Sequence, residues 1–174
     1  MSLDHLWAGW RMPYVSSSGV ENPQQAILGP LGEDECVFCA ILGADAPDEE
    51  KLIVWQGELV VGMLNAFPYA SGHVMVMPRR HVRELEELTG AEATELWQAV
   101  HDAVVAIKSA YRPDGCNLGV NLGRAAGAGI PGHLHVHAVP RWAGDTNFMT
   151  STAAVRVLPE ALTDSWKRMR QAWS

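Results

Sequence analysis

The stretch GIPGHLHVHAVPRW, Gly129 to Trp142, sets His133, His135 and His137 at every second position and gathers three of the chain's seven histidines there. In an extended strand alternate side chains share one face. The three imidazoles would then look one way, while Leu134, Val136 and Ala138 look the other way into a core. At a rise of about 3.3 Å per residue, neighbouring imidazoles start roughly 6.6 Å apart and the outer two roughly 13 Å. One neighbouring pair can chelate a metal, but three on one ion suits a straight strand poorly. A neutral imidazole is a nucleophile at physiological pH, and a second imidazole can hold or donate a proton. That pairing suits attack on phosphorus through a phosphorylated imidazole. Just upstream lies Asn121-Leu-Gly-Arg-Ala-Ala-Gly-Ala-Gly129, whose glycines let backbone N–H groups close around phosphate oxygens.

The elements that must position these residues can be read along the chain. Residues 1–35 form an arm: LWAGWRMPYV is rich in tryptophan, and SSSGVENPQQAILGPLGEDE has the composition of a loop. A polar loop after Cys39 leads to KLIVW and LVVGML, two short strands joined at QGE by a tight turn. After NAFPYASG, the segment HVMVM (His73 to Met77) reads as another strand, ended by Pro78. Thr89-Gly-Ala-Glu92 has the capping-box pattern. Leu96, Val100, Val104, Ile107 and Tyr111 continue it at helical spacing until RPDG. CNLGVNLG is a strand, and the histidine stretch is the last one. A C-terminal helix follows from Pro159, with Leu162, Trp166, Met169 and Trp173 on one stripe. Strands, helix, then strands, with hairpin-length connections, predict an α+β domain with a mainly antiparallel sheet over residues 36–150 and a helical extension over 151–174.

HLHVHAV, NAFPYASGHVMVMPRRH, NLG and the glycine-rich loop together resemble the histidine triad (HIT) family, over about Cys36 to Met149. The flanks LWAGWRM and PRWAGDTNFM are similar to the branch of fragile histidine triad proteins and bacterial diadenosine tetraphosphate phosphorylases. The resemblance implies a HIT-type fold and a nucleotidyl hydrolase or transferase acting on dinucleoside polyphosphates. By the same resemblance His135 is the nucleophile at the α-phosphorus, His137 contacts the phosphate, and Asn65 binds the nucleoside sugar. Asn121 then lines the phosphate site, with backbone donors from Gly127 and Gly129. One departure bears on leaving-group recognition: relatives place a glutamine, serine or threonine in the loop before the histidines, whereas AGAGIPG has none. Two other readings stay open: a nucleotide-binding module with weak catalysis, and a metallohydrolase whose strand histidines hold a catalytic zinc.

Cys36-x-x-Cys39 is two ligands short of a tetrahedral zinc site, and His81 and His133 are the candidates to complete it. Zinc-bearing family members and related uridylyltransferases use this Cys, Cys, His, His set, which implies a structural zinc. The alternative is two buried cysteines packing as small apolar residues. A redox pair is disfavoured by the lack of a helix-opening signal after Cys36.

Composition bounds the partners. A formal net charge of −7 argues against binding nucleic-acid polymers through a basic surface. Arginines do cluster locally, at Arg79, Arg80 and Arg83 and again at Arg124 and Arg141, so either a local anion site or a solvated face is expected. No apolar run approaches the roughly 20 residues of a membrane helix, and no signal pattern opens the chain. Three cysteines do not make a secreted disulfide framework, so a cytoplasmic protein with reduced thiols is expected. Trp7, Trp10 and Tyr14 in the arm, with Trp166 and Trp173 near the end, carry more apolar area than a loose tail shelters. Together with the pairing seen in the family, this predicts a two-fold homodimer.

Overall fold

A computed structural model describes residues 24–28, 31–32, 35–145 and 160–173. Most of the arm, including Trp7, Trp10 and Tyr14, lies outside the described residues. The centre is one antiparallel sheet: β1 (Ile53–Gln56), β2 (Val60–Leu64), β3 (Val74–Pro78), β4 (Gly115–Val120) and β5 (Val136–Arg141). Their spatial order is β1-β2-β3-β5-β4, so β5 is flanked on both sides and β4 is an edge among the described residues. Described helices are α1 (Gln25–Leu28), α2 (Val37–Gly43), α3 (Asp48–Lys51), α4 (Gly90–Tyr111) and α5 (Leu162–Ala172).

The period-2 pattern of the strands divides the core into two layers. Val54, Val60, Leu64, Val74, Val76, Leu134, Val136 and Ala138 face α4 and α5. On the other face Ile53, Val61, Met63, Met75 and Met77 pack against Phe38 and Ile41 of α2. A register shift between Ile53 and Trp55 turns Trp55 onto the α4/α5 layer as well.

Helix α4 starts where its sequence signal places it. The Thr89 hydroxyl accepts from the Glu92 N–H, and the Glu92 carboxylate accepts from the Thr89 N–H at 2.8 Å. Arg80 adds two charge-assisted bonds to the same carboxylate, which sits well below the ordinary glutamate value, at about 2. The buried stripe includes Leu96, Val100 and Ile107, with Ala99, Ala103 and Ala106 letting the helix lie close on the sheet. Arg112, in the left-handed region at φ 48°, stops it.

Helix α5 also forms as the spacing predicts, and its partner is this chain's own sheet. Trp166 Nε1 donates to the Ile53 carbonyl, and Trp173 stacks on Trp55 with ring centroids 5.7 Å apart. The Trp173 ring lies over Gly62, where an added Cβ would come within 2.7 Å of it. Packing of the half-buried Trp166 and the buried Trp173 within the chain corrects one sequence argument: these two aromatics are not an exposed patch awaiting a partner. Among the described residues no helix is long and apolar enough to cross a membrane.

Candidate functional site

The histidine run enters β5 only at Val136. His133 sits in a bend and His135 in the extended residue before the ladder begins. The alternation still holds, since Leu134, Val136 and Ala138 are in the helix-facing core and the three histidines lie on the opposite side. His133 and His135 are buried, at 1% and 5% exposure, and His137 is half-buried.

His133 belongs to a cluster apart from the other two. Helix α2 begins directly after Cys36, so Cys36 and Cys39 stand one turn apart on the same side of it. That helix corrects two expectations, that no helix opens after Cys36 and that a polar loop follows directly after Cys39. The Leu134 N–H donates to the Val82 carbonyl at 2.7 Å, drawing the segment after β3 alongside the histidine run. His81 thereby meets His133. The ligand atoms of Cys36, Cys39, His81 and His133 all lie within 4.8 Å of one another. Cys36 Sγ is 3.4 Å from His133 Nδ1, and Cys39 Sγ is 3.3 Å from His81 Nδ1 and 3.6 Å from His133 Nδ1. Tetrahedral zinc, at about 2.3 Å from sulfur and about 2.0 Å from nitrogen, spaces its ligands roughly 3.3–3.8 Å apart. The donor set suits such an ion, three of its ligand spacings fall in that range, and the four residues could hold one. His133 Nε2 donates to the Pro78 carbonyl at 2.8 Å, which fixes the tautomer with Nδ1 turned to the thiols. Burial would push the Cys36 thiol up, but the facing His133 Nδ1, which takes up the thiol proton, and the Cys39 backbone N–H outweigh it and bring it to about 6. Cys39 is raised to about 11, by burial first and then by its neighbour Cys36.

His135 and His137 form the second cluster, with ring centroids 4.8 Å apart and nearly perpendicular. His135 Nδ1 donates to the His133 carbonyl at 2.7 Å, leaving Nε2 with its lone pair. His137 is held by a residue that the sequence reading did not single out. His73, fully buried, places Nε2 3.0 Å from His137 Nδ1, while its own Nδ1 accepts the Tyr69 N–H at 3.1 Å. An acceptor at Nδ1 makes Nε2 the donor of a neutral His73. His137 Nδ1 must then accept, and the proton of His137 rests on Nε2. The two neighbouring imidazoles are thus set in opposite tautomers, one an Nε2 lone pair and the other an Nε2–H. Burial depresses both: His135 is lowered, and His137 falls to about 4. Both are neutral near pH 7. Phe38, between the two cysteines, sets its ring edge-on to His133 and His135, at 5.5 Å and 5.2 Å.

The remaining candidates lie on neighbouring segments of the chain. Asn65 is buried at the end of β2. Its N–H donates to the His73 carbonyl and its Oδ1 accepts the Phe67 N–H at 2.9 Å. Asn121 follows the last β4–β5 pair, Val120 with Val136, so the register continued by one residue sets it across from His135. Gly127 has φ 88° and its N–H donates within the loop to the Arg124 carbonyl, so its part is to bend the loop. Gly129 is exposed in the segment leading back to the histidines. The arginines are mostly structural: Arg79 binds Gly57 and Gln56, Arg80 binds Glu92, and Arg141 binds Asp145 and Asn117.

Comparison with known proteins now decides the lineage. The HIT domain profile matches residues 46–144. The chain belongs to the histidine triad family. It is 40% identical over 172 residues to the AP-4-A phosphorylase of Mycobacterium tuberculosis, covering 99% of this chain and 85% of that one. It is 33% identical over 93 residues to the asymmetrical bis(5'-nucleosyl)-tetraphosphatase of Schizosaccharomyces pombe, covering 53% and 50%. Among solved structures, a zinc-bound histidine triad family protein from Mycobacterium smegmatis superposes with a TM-score of 0.64 at 29% identity, over 82% of this chain and 95% of that one. The chain is an enzyme of the HIT family, with the α+β fold of its relatives.

Proposed function

We propose that this enzyme cleaves dinucleoside polyphosphates such as diadenosine tetraphosphate by nucleotidyl transfer through His135, with inorganic phosphate as the acceptor. The observation that carries this reading is the pair of opposite tautomers at His135 and His137. His135 Nε2 gives its lone pair to the α-phosphorus, and the bond from phosphorus to the bridging oxygen breaks. The departing nucleotide leaves as a phosphate anion and needs no proton, so an Nε2–H of His137 aimed at that oxygen stabilises the charge as it develops. The imidazolium formed at His135 is held by its Nδ1–H bond to the His133 carbonyl. Phosphate then attacks the phosphorus from the other side, and the nitrogen–phosphorus bond breaks to return the lone pair to Nε2.

Asn65 brings its amide N–H donors to the nucleoside sugar, because its oxygen is committed to the turn. Asn121, Gly127 and Gly129 shape the phosphate side, with Gly127 acting through loop conformation. Residues 36–150 are read as the catalytic unit, between an arm and a helical extension. Cys36, Cys39, His81 and His133 would hold one structural zinc, which supplies a rigid base for the histidine run. Four protein ligands leave such an ion no open position for a water, which speaks against a metallohydrolase. A homodimer is supported by apolar exposure at one edge. Leu118 on β4 is 51% exposed, and Trp97 and Val105 on α4 are 52% and 51% exposed. Together with the unpaired side of β4 they suit two-fold pairing of sheet and helix. The test of the activity is product analysis with diadenosine tetraphosphate. ADP and ATP that appear only with added phosphate support phosphorolysis. AMP and ATP without phosphate would replace it with hydrolysis, and no turnover would defeat the reading.

A further inference from the structure

The matched family region ends at residue 144, yet the C-terminal helix beyond it reaches the back of the site. Glu160, just before α5, is a fully engaged carboxylate. Its Oε2 accepts from Tyr111 Oη at 2.8 Å and from Ser165 Oγ at 2.9 Å, and its Oε1 accepts from Arg168. Those bonds hold Glu160 below the usual carboxylate range although burial opposes it, and burial foremost raises the Tyr111 phenol. Tyr111 is the last residue of α4, and Arg168 lies 5.3 Å from its ring centroid. The ring also lies against Gly72, at φ 79°, where any Cβ would collide with it.

Gly72 immediately precedes His73 in the turn closed by the His73 N–H on the Ala70 carbonyl. The same turn supplies the Tyr69 N–H that fixes the His73 tautomer. A small cavity of about 10 Å³ lies between turn and helix, lined by Asn65, Ser71, Gly72, His73, Glu160 and Ser165 among others. Ser71 Oγ is buried there with no hydrogen-bond partner among the described residues. A space of that size holds one water, and a buried hydroxyl requires such a partner.

We propose that the C-terminal helix is a positioning element of the catalytic site: Glu160 and Ser165, through Tyr111 and a water bound at Ser71, fix the turn that presents Asn65 and His73. The proposal deepens the nucleotidyl-transfer reading and rests on it. The path is a chain of direct contacts from Glu160 to Tyr111, to Gly72, to His73, and so to His137. Loosening it would leave the nucleophile in place but let the His137 tautomer and the sugar-binding amide wander. Misplacement on the order of 1 Å at such a distance costs about tenfold or more in turnover.

The test uses the full chain with three substitutions. Tyr111→Phe keeps the ring on Gly72 and removes the bond to Glu160; Glu160→Gln weakens all its bonds. Thr89→Ala removes the cap at the far end of α4 and leaves α5 and the network contacts in place. Kinetics with diadenosine tetraphosphate, melting temperature, and solvent exchange of the His73 Nε2 proton by NMR are measured for each. Tyr111→Phe and Glu160→Gln are expected to lower kcat about tenfold with a smaller rise in KM, and to speed that exchange. Thr89→Ala should lower the melting temperature alone. Unchanged kcat and unchanged exchange in both network variants would overturn the proposal, as would an equal kcat loss in Thr89→Ala. Should Glu160→Gln not fold, Tyr111→Phe decides by itself. A wild-type chain with no turnover would overturn the nucleotidyl-transfer reading instead, and the exchange of the His73 proton would still decide the positioning.

Discussion

His133 and His135 stand two residues apart on one stretch of chain, and both are buried, yet their surroundings differ in kind. His133 faces two thiols and a second imidazole in a compact cluster, with its outer nitrogen tied to the Pro78 carbonyl. His135 faces another histidine, with one nitrogen tied to a carbonyl and the other left with a lone pair. Neither difference lies in the residue itself. It comes from what the neighbouring segments deliver: α2 and the segment after β3 bring sulfur and nitrogen to His133, whereas β3 brings His73 toward His137. On the nucleotidyl-transfer reading proposed above, identical side chains at identical spacing would take a holding role and a reacting role.

The sharpest way to break this comparison is at the reacting half. His135→Asn removes the lone pair while keeping a polar side chain of similar reach. Turnover is expected to fall by at least about a thousandfold, with nucleotide binding retained. Radiolabelled substrate should leave a covalent adduct on the wild-type chain and none on the variant. Appreciable turnover in the variant would end the assignment of His135 as nucleophile.

At the holding half the expected loss is of stability. Protein purified without added metal should carry one zinc per chain by elemental analysis. Cys39→Ala should lose the ion and destabilise the fold by several kcal/mol, on the order of 3 to 5, because the three remaining ligands lose the ion that ties their segments together. Metal-free wild-type protein with an unchanged melting temperature would return the cysteines to ordinary packing.

Between the halves lies His73, which acts on His137. His73→Phe keeps bulk and burial but removes the donor that sets the tautomer. A ten- to hundredfold loss of kcat is expected, about 1.4 to 2.7 kcal/mol, with little change in KM. A variant with wild-type kcat would show that His137 finds its tautomer unaided.

Much of this was legible in the sequence, and what was not has a common cause. Strands β1 to β4, the Thr89 cap of α4 and the stripe of α5 are local patterns that formed close to where their residues predicted, whereas β5 opens only at Val136 and leaves His133 and His135 outside the ladder. The Cys36, Cys39, His81 and His133 set could be named because a C-x-x-C pair calls for two further ligands and the resemblance to zinc-bearing family members implies these two histidines. His73 went unnoticed because its meaning depends on strand order. It shares the parity of Met75 and Met77, but only the pairing of β3 with β5 turns that face toward His137. Helix α2 was missed because VFCAILG is uniformly apolar and carries no cap signal, the Cys36 side chain making no cap bond. Trp166 and Trp173 were assigned to an interface because aromatic area is visible in a sequence and its destination is not.

The smallest effect concerns pH, and it tests whether the reacting half is held neutral by burial. His137 is lowered from an ordinary histidine value of about 6.5 to about 4, first by burial and then by its neighbour His135. A histidine lowered on folding binds its proton more readily in the unfolded chain. Between about pH 6.5 and pH 4 the unfolded state therefore takes up the proton first. Stability falls as the pH drops through that window and levels off below it. His137 keeps part of its hydration, so its share is discounted from the full shift to about 1 to 2 kcal/mol. Carboxylates titrate near the lower end of the same window, so the measurement must be a difference. Urea midpoints of wild type and His137→Gln at pH 7 and pH 4.5 isolate the term: the wild type should lose about 1 to 2 kcal/mol more than the variant. Equal losses would mean that His137 is charged as easily in the folded protein as in the unfolded one. The reacting half would then owe its neutral state to the solution and not to the fold.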